Sequence, residues 1–598
     1  MTTVFGLVDP DPERRAMALC SVEHKLTTSD KLHRSLNRWE RNSLVMMIYG
    51  TSSAPLSQAS SRGSWAGVCG NILMDDDKKT PAELVLSISF AKDPLAANGR
   101  GGFYLSCMQN ISGEVVLCTD ALGLFPLFYW ATPELFVFSS SPGLILMHPS
   151  HTGKISPEGL AGIMLFGYMA NDQSIWEGIR RPEAGHALRW RKGGGADTPI
   201  SNPLKPSENY FHLNYASARK LTADALHHAV QRSIRAHNGP INLLLSGGLD
   251  SRLVAGYLAK EAPGRIHALT IGNSGDVEAQ CARRVVRALN ISGQRICEHF
   301  ESYDSAAIEC INRESLSHSL WDFAWFSAID GIPTAPLLSG MHGDVIMGGS
   351  FIPKAWDARR GIYCFNSIFK QFNAWGFSAE EVPRLVCLAD MQLPVRHVLE
   401  KLKAQYEALP GLPYQRATLW TFMYRLRFHV MPTLFRISAR GWPLMPYADP
   451  ELLNVTLGMP LDYIRNRRFQ VDTLRCEFPG LAKLPLDRNS YDQKPILPTA
   501  AWHASAYLAS IRRYFRLFRK ERRTYYRQFD INNEGWVRIR MLAESSRPFA
   551  HRIFKPERFD YFIPPPNNRI NCSDGIVDTA KHKLLICMML FLGSIHEV

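Results

Sequence analysis

The chain has 598 residues and a formal net charge of +13, and 46% of it is hydrophobic, enough to bury large cores in several domains. No run reaches the roughly 18 apolar residues of a membrane span, and the opening MTTVFGLVDPDPERR has no apolar signal core. Its twelve Cys form no C-x-x-C pair, which leaves neither a zinc knuckle nor a disulfide framework, so a soluble cytoplasmic protein is expected.

In chain order, residues 84 to 145 alternate in the manner of strands. ELVLSISF, GGFYLSCM, GEVVLCTD, LFPLFYW and LFVFSSS are short runs separated by Gly, Pro and Asp turns, which predicts a mostly antiparallel sheet. PEGLAGIMLFGY (157–168) reads as a helix with Pro early. Residues 191 to 210 are rich in Gly, Pro, Ser and Asn and read as a linker. From about Ala216, helical patterns alternate with the apolar strands INLLL (241–245), IHALTI (266–271) and TAPLLS (334–339), which indicates a parallel α/β sheet. Residues 380 to 475 look largely helical. The basic stretch IRRYFRLFRKERRTYYR (511–527) reads as a solvated helical face or as a docking face for an acidic or phosphorylated partner. LLICMMLFL (584–592) reads as a buried terminal helix.

The stretch LLLSGGLDS (243–251) carries the chemistry. Leu245 ends a strand, and Gly247 and Gly248 let the backbone turn sharply and approach an anion. A helix from about Asp250 presents its free N–H groups to that anion, and Ser246 and Ser251 add hydroxyls. Asp250 would repel a phosphate unless a cation lies between them, a role that suits Mg2+. The turn is neither G-x-x-x-x-G-K-[ST] nor G-x-G-x-x-G. It resembles the pyrophosphate loop of enzymes that split ATP between its α and β phosphates; the other reading is a Gly-rich strand–helix turn without ligand.

These residues resemble the asparagine synthetase-like amide-forming ligases over roughly residues 84 to 500. In that family ATP adenylates a carboxylate, pyrophosphate leaves, and an amine attacks the acyl-adenylate. TIGNSGDVEAQCARRVV (270–286) resembles the family's second strand and acidic turn, which implies that backbone around Ile271 holds adenine. SGMHGDVIMGG (339–349) resembles S/T-G-x-G-x-D-E-x-x-G-G, which implies ATP contacts at Ser339 and Gly340 and a second Mg2+ ligand at Asp344 beside Asp250. RNSYDQKP (488–495) puts Lys494 near the family's catalytic lysine, with Lys483 the other lysine nearby. TDALGLFPLFYWATPELFVFSSSPGLI (119–145) resembles the N-terminal glutaminase domain. The implied architecture is an α+β αββα sandwich, Ntn glutaminase-like but degenerate, followed by an α/β parallel-sheet ATP-pyrophosphatase synthetase domain. The expected divisions are 1–205, 215–500 and a basic helical extension, 501–598.

Departures from the family narrow the expectation. The family's glutaminase uses a cysteine immediately after the initiator Met, whereas this chain reads Met1-Thr2-Thr3 and its first Cys is Cys20. Ammonia from glutamine is therefore not expected. Asparagine-forming members carry Glu, and β-lactam formers Tyr, where this chain has Met341, and the acid that normally follows Asp344 is Val345. His342 could deprotonate an amine and resembles a His of the lasso peptide cyclases; the other reading is a structural His that packs the loop. The resemblance thus implies an ATP- and Mg2+-dependent macrolactam synthetase. It would adenylate an Asp or Glu side chain of a linear precursor peptide for attack by the peptide's N-terminal amine, with a leader peptidase as partner. The alternatives are an enzyme of the same fold using ammonia or another amine, a tRNA-modifying ATPase, and a non-catalytic scaffold. No RNA-binding motif accompanies the positive charge.

Overall fold

The computed structural model describes residues 2–28, 35–50, 53–73, 79–89, 101–169, 171–197, 204–316, 328–347, 356–357, 362–388, 390–487, 493–514, 523–572 and 576–596. The first half holds two antiparallel sheets. One contains β1 (Thr3–Val8), β2 (Ser35–Arg41), β3 (Leu44–Gly50), β8 (Phe128–Ala131) and β9 (Phe136–Ser139), in the order β2-β3-β1-β9-β8. The other contains β4 (Leu56–Ser61), β5 (Ser64–Ile72), β6 (Gly102–Gln109), β7 (Val115–Thr119), β10 (Leu188–Arg191) and β11 (Gly195–Asp197), in the order β11-β10-β7-β6-β5-β4.

Side chains alternate along each strand, and this sorts the core into layers. Val4 and Val8 of β1 join Trp65, Phe103 and Leu105 in the core between the sheets. Phe5 and Leu7 join Val22 and Leu26 of the helix Pro12–Thr28, and Leu160 of the helix Pro157–Phe166, on the outer face. On the opposite outside, Val68 and Tyr104 pack against Ala82, Val85 and Leu86. The result is a helix–sheet–sheet–helix stack.

Two expectations need correction. ELVLSISF is not a strand: Pro81–Ser89 is a helix. Pro81 suits a first helical turn. Glu83 accepts from the Thr80 N–H (2.7 Å) while Thr80 Oγ1 accepts from the Glu83 N–H (3.3 Å), a capping box that overrides the alternating pattern. The stretch 191–210 is not wholly a linker either, because β10 and β11 pair as a hairpin through Trp190↔Ala196. The helix from Pro157 is as expected. Ser156 Oγ accepts from the Gly159 N–H at 3.1 Å, and Gly167, at φ 73°, ends it.

The second half is built on a parallel sheet of β12 (Ile241–Leu244), β13 (Ile266–Ile271), β14 (Ser292–Ile296), β15 (Leu337–Ser339) and β18 (Pro443–Leu444), in the order β14-β13-β12-β15-β18. Between β15 and β18 lies a small hairpin of β16 (Trp356–Asp357) and β17 (Ile362–Tyr363). Chain order reverses at β12, between β13 and β15, the switch point where α/β sheets bind ligands beyond their strand ends. The edge strands β14 and β18 escape a reading of the sequence. Four of the five residues of β14 are exposed, and β18 has only two residues.

The halves meet at an aromatic cluster. Phe103 and Phe125 from the sandwich pack on Phe435 and Trp442, with ring centroids 5.4–6.4 Å apart. Asp120 sets this up by accepting from the Leu124 and Phe125 N–H groups at 3.0 and 2.9 Å, which fixes the turn that presents Phe125. Trp442 Nε1 donates to the Phe103 carbonyl at 3.0 Å. LLICMMLFL is buried in the helix Ile576–His596, whose Phe591 packs on Trp176 of the sandwich at 5.4 Å. No described helix is long and apolar enough to cross a membrane. Trp442→Ala is expected to cost about 3–5 kcal/mol, seen as a lower thermal midpoint, with a smaller drop for Trp442→Phe; equal midpoints for all three proteins would refute this role.

Candidate functional site

A cavity of about 600 Å³ opens at the ends of β12, β13 and β15. Leu245, Ser246, Asp250, Ser251, Ile271, Ser339, Gly340, His342 and Asp344 all line it, so the fold collects most of the residues that the sequence singled out.

The turn after β12 has the expected backbone. Gly247 has φ 75°, and a Cβ there would lie 2.5 Å from the Ala282 nitrogen, so only glycine fits. Gly248 is less confined, since an added Cβ would meet only Ser246 Oγ, at 3.2 Å, inside 3.4 Å. Its N–H donates to Ser246 Oγ at 3.2 Å, and Ser246 and Ser251 hydroxyls lie 3.2 Å apart. The helix that follows, Leu249–Glu261, points its free N–H groups at this corner. The Leu245 carbonyl is taken by the Thr270 hydroxyl at 2.7 Å, which ties β12 to β13 behind the cavity.

Arg252, one residue beyond the motif, holds the turn in place. It is buried and donates to the carbonyls of Gly247 (2.7 Å), Leu481 (3.0 Å), Leu484 (3.0 Å) and Pro485 (2.7 Å). The only sequence signal for it was an arginine on the inward face of an otherwise apolar helix.

Asp250 and Asp344 approach one another because the chain between them is stripped of side chain. A Cβ on Gly343 would lie 2.7 Å from Asp250 Oδ1 and 2.5 Å from Tyr447 Cζ, and one on Gly340 would lie 2.7 Å from Ser251 Cα. Burial, with the negative charge of Asp344 adding to it, pushes Asp250 up to about 6. Arg467, at 2.6 Å from Asp250 Oδ1, and Gln470 pull the other way. Burial lowers Arg425, and the charge of Asp344 opposes that shift. Arg425, Leu426 and Val430 reach the cavity from a π-helical stretch, Thr421–Val430. That stretch precedes Pro432, which has no N–H to donate four residues back. The rest of the aromatic run LWTFMYRLRFHVMPTLF (419–435) is mostly core.

Among the described residues no group of three or more His, Cys, Asp or Glu could hold a metal by itself. Two carboxylates alone suit Mg2+, which keeps waters and takes its remaining ligands from phosphate oxygens. Asp250 and Asp344 fit that role. His342 is buried at φ 75°, and its Nε2 has no hydrogen-bond partner among the described residues. Burial lowers its pKa to about 4, so the ring is neutral at pH 7.

Lys494 is exposed and does not line the cavity. Its neighbour Gln493 accepts from the Leu486 N–H at 3.1 Å and reaches Cys281, the residue against which Gly247 is packed. Residues 488–492, and Gly348 and Gly349 of the second motif, lie outside the described residues. Four further walls were not foreseen: Glu278, which burial raises to about 7, and Thr524, Gln528 and Phe529 from beyond residue 500.

Thr2 is fully buried at the start of β1. Its N–H donates to Ser438 Oγ at 3.0 Å and its hydroxyl to the Ser438 carbonyl at 3.2 Å.

An acid whose folded value is raised stabilises the fold below its ordinary 3.8, and that contribution is lost as pH rises through about 6. Asp250→Asn is therefore expected to raise the thermal midpoint of the ligand-free protein at pH 7.5 and to lose that advantage by pH 4. A variant less stable than the parent at pH 7.5 would contradict the charge strain described.

Residues 221–426 match the family model described as asparagine synthase, and residues 84–199 match that described as glutamine amidotransferase domain. Two relatives from Bacillus subtilis (strain 168) are similar in sequence. Asparagine synthetase (glutamine-hydrolyzing) 2 is 23% identical over 246 residues, 37% of this chain and 30% of the relative. Asparagine synthetase (glutamine-hydrolyzing) 3 is 29% identical over 158 residues, 25% of each. The match thus spans less than a third of either relative. Two solved structures were also found. Glutamine phosphoribosylpyrophosphate amidotransferase from B. subtilis, complexed with ADP and GMP, has 11% identity and a TM-score of 0.22, over 50% of this chain and 66% of that one. The allosteric regulatory enzyme of purine biosynthesis has 12% identity and the same TM-score, over 49% and 80%. By these family models, residues 221–426 are similar to asparagine synthases and residues 84–199 to glutamine amidotransferase domains.

Proposed function

We propose that this protein is an ATP-dependent amide-forming ligase that closes a macrolactam ring in a peptide. A side-chain carboxylate of the peptide attacks the α phosphate of ATP and displaces pyrophosphate; the peptide's N-terminal amine then attacks the acyl-adenylate, forming the amide and releasing AMP and a proton. The observation that carries the ligase reading is the convergence of Asp250 and Asp344 with the Ser246–Ser251 turn in one cavity at the switch point of the sheet.

The roles follow from chemistry. The free N–H groups of the helix Leu249–Glu261 and the hydroxyls of Ser246 and Ser251 bind phosphate oxygens. Asp250 and Asp344 hold Mg2+, which when bound screens their charge from the phosphates. Arg425 and Arg467, both on the cavity wall, stabilise the negative charge that develops on the α phosphate. His342, neutral at pH 7, accepts a proton from the attacking amine. A weak base suffices, because the amine becomes strongly acidic once it has added to the acyl carbon.

An amine within the substrate is favoured by the state of Thr2. Its backbone N–H and its hydroxyl both donate to Ser438 in a buried setting, away from any glutamine. Under this reading the sandwich serves as a degenerate glutaminase scaffold, and the partner required is a peptidase that frees the substrate's N-terminus.

The test is ATP–pyrophosphate exchange with candidate linear peptides, with aspartate plus ammonium, and with neither. Peptide-dependent exchange that Asp250→Ala and Asp344→Ala each reduce at least 100-fold, together with a product lighter by one water, is the expected result. Ammonium-dependent amide formation from aspartate would overturn the macrolactam reading, and exchange indifferent to Asp250→Ala would overturn the site. With the peptide in hand, His342→Ala is expected to keep exchange within about threefold while slowing ring closure by the roughly 10²–10⁴-fold of a lost general base. Equal losses in both steps would assign His342 to packing alone.

A further inference from the structure

The nucleotide cavity divides by chemistry. Its β15 side carries Asp344, His342 and Arg425, the groups suited to phosphate and the reacting carboxylate. From the phosphate corner at Ser246, the remaining direction runs across the end of β13. There the walls are Ile271, Glu278, Thr524, Gln528 and Phe529, the last three from the helix Thr524–Phe529. This end offers apolar surface and neutral hydrogen-bonding groups, with Glu278 pushed up to about 7 by burial. That is the environment of a flat, uncharged heterocycle.

The helix is built into this position. Arg527 reaches both oxygens of the fully buried Asp276 at 2.6 and 2.7 Å, and Thr524 Oγ1 donates to Asp276 Oδ2 at 2.8 Å. Asp276 begins the helix Val277–Leu289 but makes no side-chain cap there, since its carboxylate serves the C-terminal segment and the Asn273 N–H. A Cβ on Gly272 would lie 2.3 Å from Thr524 Oγ1, so the segment rests directly on the end of β13. Gln528 donates to Glu298, and Arg523 pairs with Asp487. From behind, Lys583 of the terminal helix, itself 1% exposed, donates to the carbonyls of Gln528 (3.3 Å) and Phe529 (3.0 Å), and its ammonium lies 4.8 Å from the Phe529 ring centroid. These carbonyls end the short helix, where a cation is favoured.

We propose that the C-terminal extension forms the nucleobase end of the ATP pocket, with Phe529 as its apolar base-contacting surface and the Gln528 carbonyl oxygen as acceptor for an exocyclic amino group. This rests on the ATP reading above. Adenine donates from that edge and guanine accepts, so Gln528 sets a preference for ATP over GTP, and Lys583 is a positioning residue that fixes the backbone of Gln528 and Phe529.

The test is calorimetric titration of the full chain, with Mg2+, against ATP, GTP and inorganic triphosphate. The parent is expected to bind ATP at least tenfold more tightly than GTP or triphosphate. Gln528→Leu should narrow the ATP-to-GTP ratio about tenfold. Phe529→Ala should weaken both nucleotides about tenfold and leave triphosphate unchanged, whereas Asp250→Ala should weaken all three. Because Phe529 is buried, Gln528→Leu, at a half-buried residue, carries the test if Phe529→Ala fails to fold. ATP binding by Gln528→Leu and Phe529→Ala indistinguishable from the parent would overturn this inference and leave the ligase reading standing. A parent that binds none of the three would overturn both.

Discussion

Two half-buried carboxylates on one cavity wall set the terms for everything around them. The charge of Asp344 adds to the burial that raises Asp250, because like charges at a protein surface interact more strongly than in bulk solvent. The chain answers with Arg467 and Gln470 on Asp250, with Arg425 on the facing wall, and with glycines at 340 and 343 that let the second acid's segment run across the first. Such an arrangement costs the fold stability and is useful only to a ligand that brings positive charge between the acids and negative charge beyond them. A metal–nucleotide does both.

The phosphate corner depends on chain far from it in sequence. Gly247 can hold its left-handed conformation because helix residues Cys281 and Ala282 pack against it. Arg252 then fastens its carbonyl to three others between Leu481 and Pro485. The same logic governs the β13 end, where Asp276 turns away from capping its own helix to pair with Arg527. Local motifs supply the chemistry, and distant segments hold it still.

The errors in reading the sequence have a common origin. ELVLSISF alternates as a strand does, but the Thr80–Glu83 capping box and Pro81 decide for helix, and end signals outweigh a short periodic pattern. The Gly-rich stretch after Trp190 reads as linker because its strand β11 is only three residues long, with Ala196 its one apolar side chain. β14 and β18 are edge strands defined by their neighbours' hydrogen bonds rather than by side chains. Arg523 and Arg527 belong to a basic run, yet both are paired inside the molecule, with Asp487 and Asp276, instead of being solvated. Residues 515–522 of that run lie outside the described residues.

By itself the sequence determined the order of the two architectures, the central strands and the glycine turn after β12 with its acid. These rest on local physics: alternation, apolar runs, and glycines where a backbone must turn tightly. Only the tertiary structure decided which residues face the cavity. His342 and Asp344 enter it, Lys494 stays on the surface, Arg425, Arg467 and the helix Thr524–Phe529 join it, and Arg252 braces the turn from outside it. No local signal could reveal this, because a side chain's role there depends on burial and on partners more than 200 residues away, as with Arg467 on Asp250, 217 apart, and Arg527 on Asp276, 251 apart.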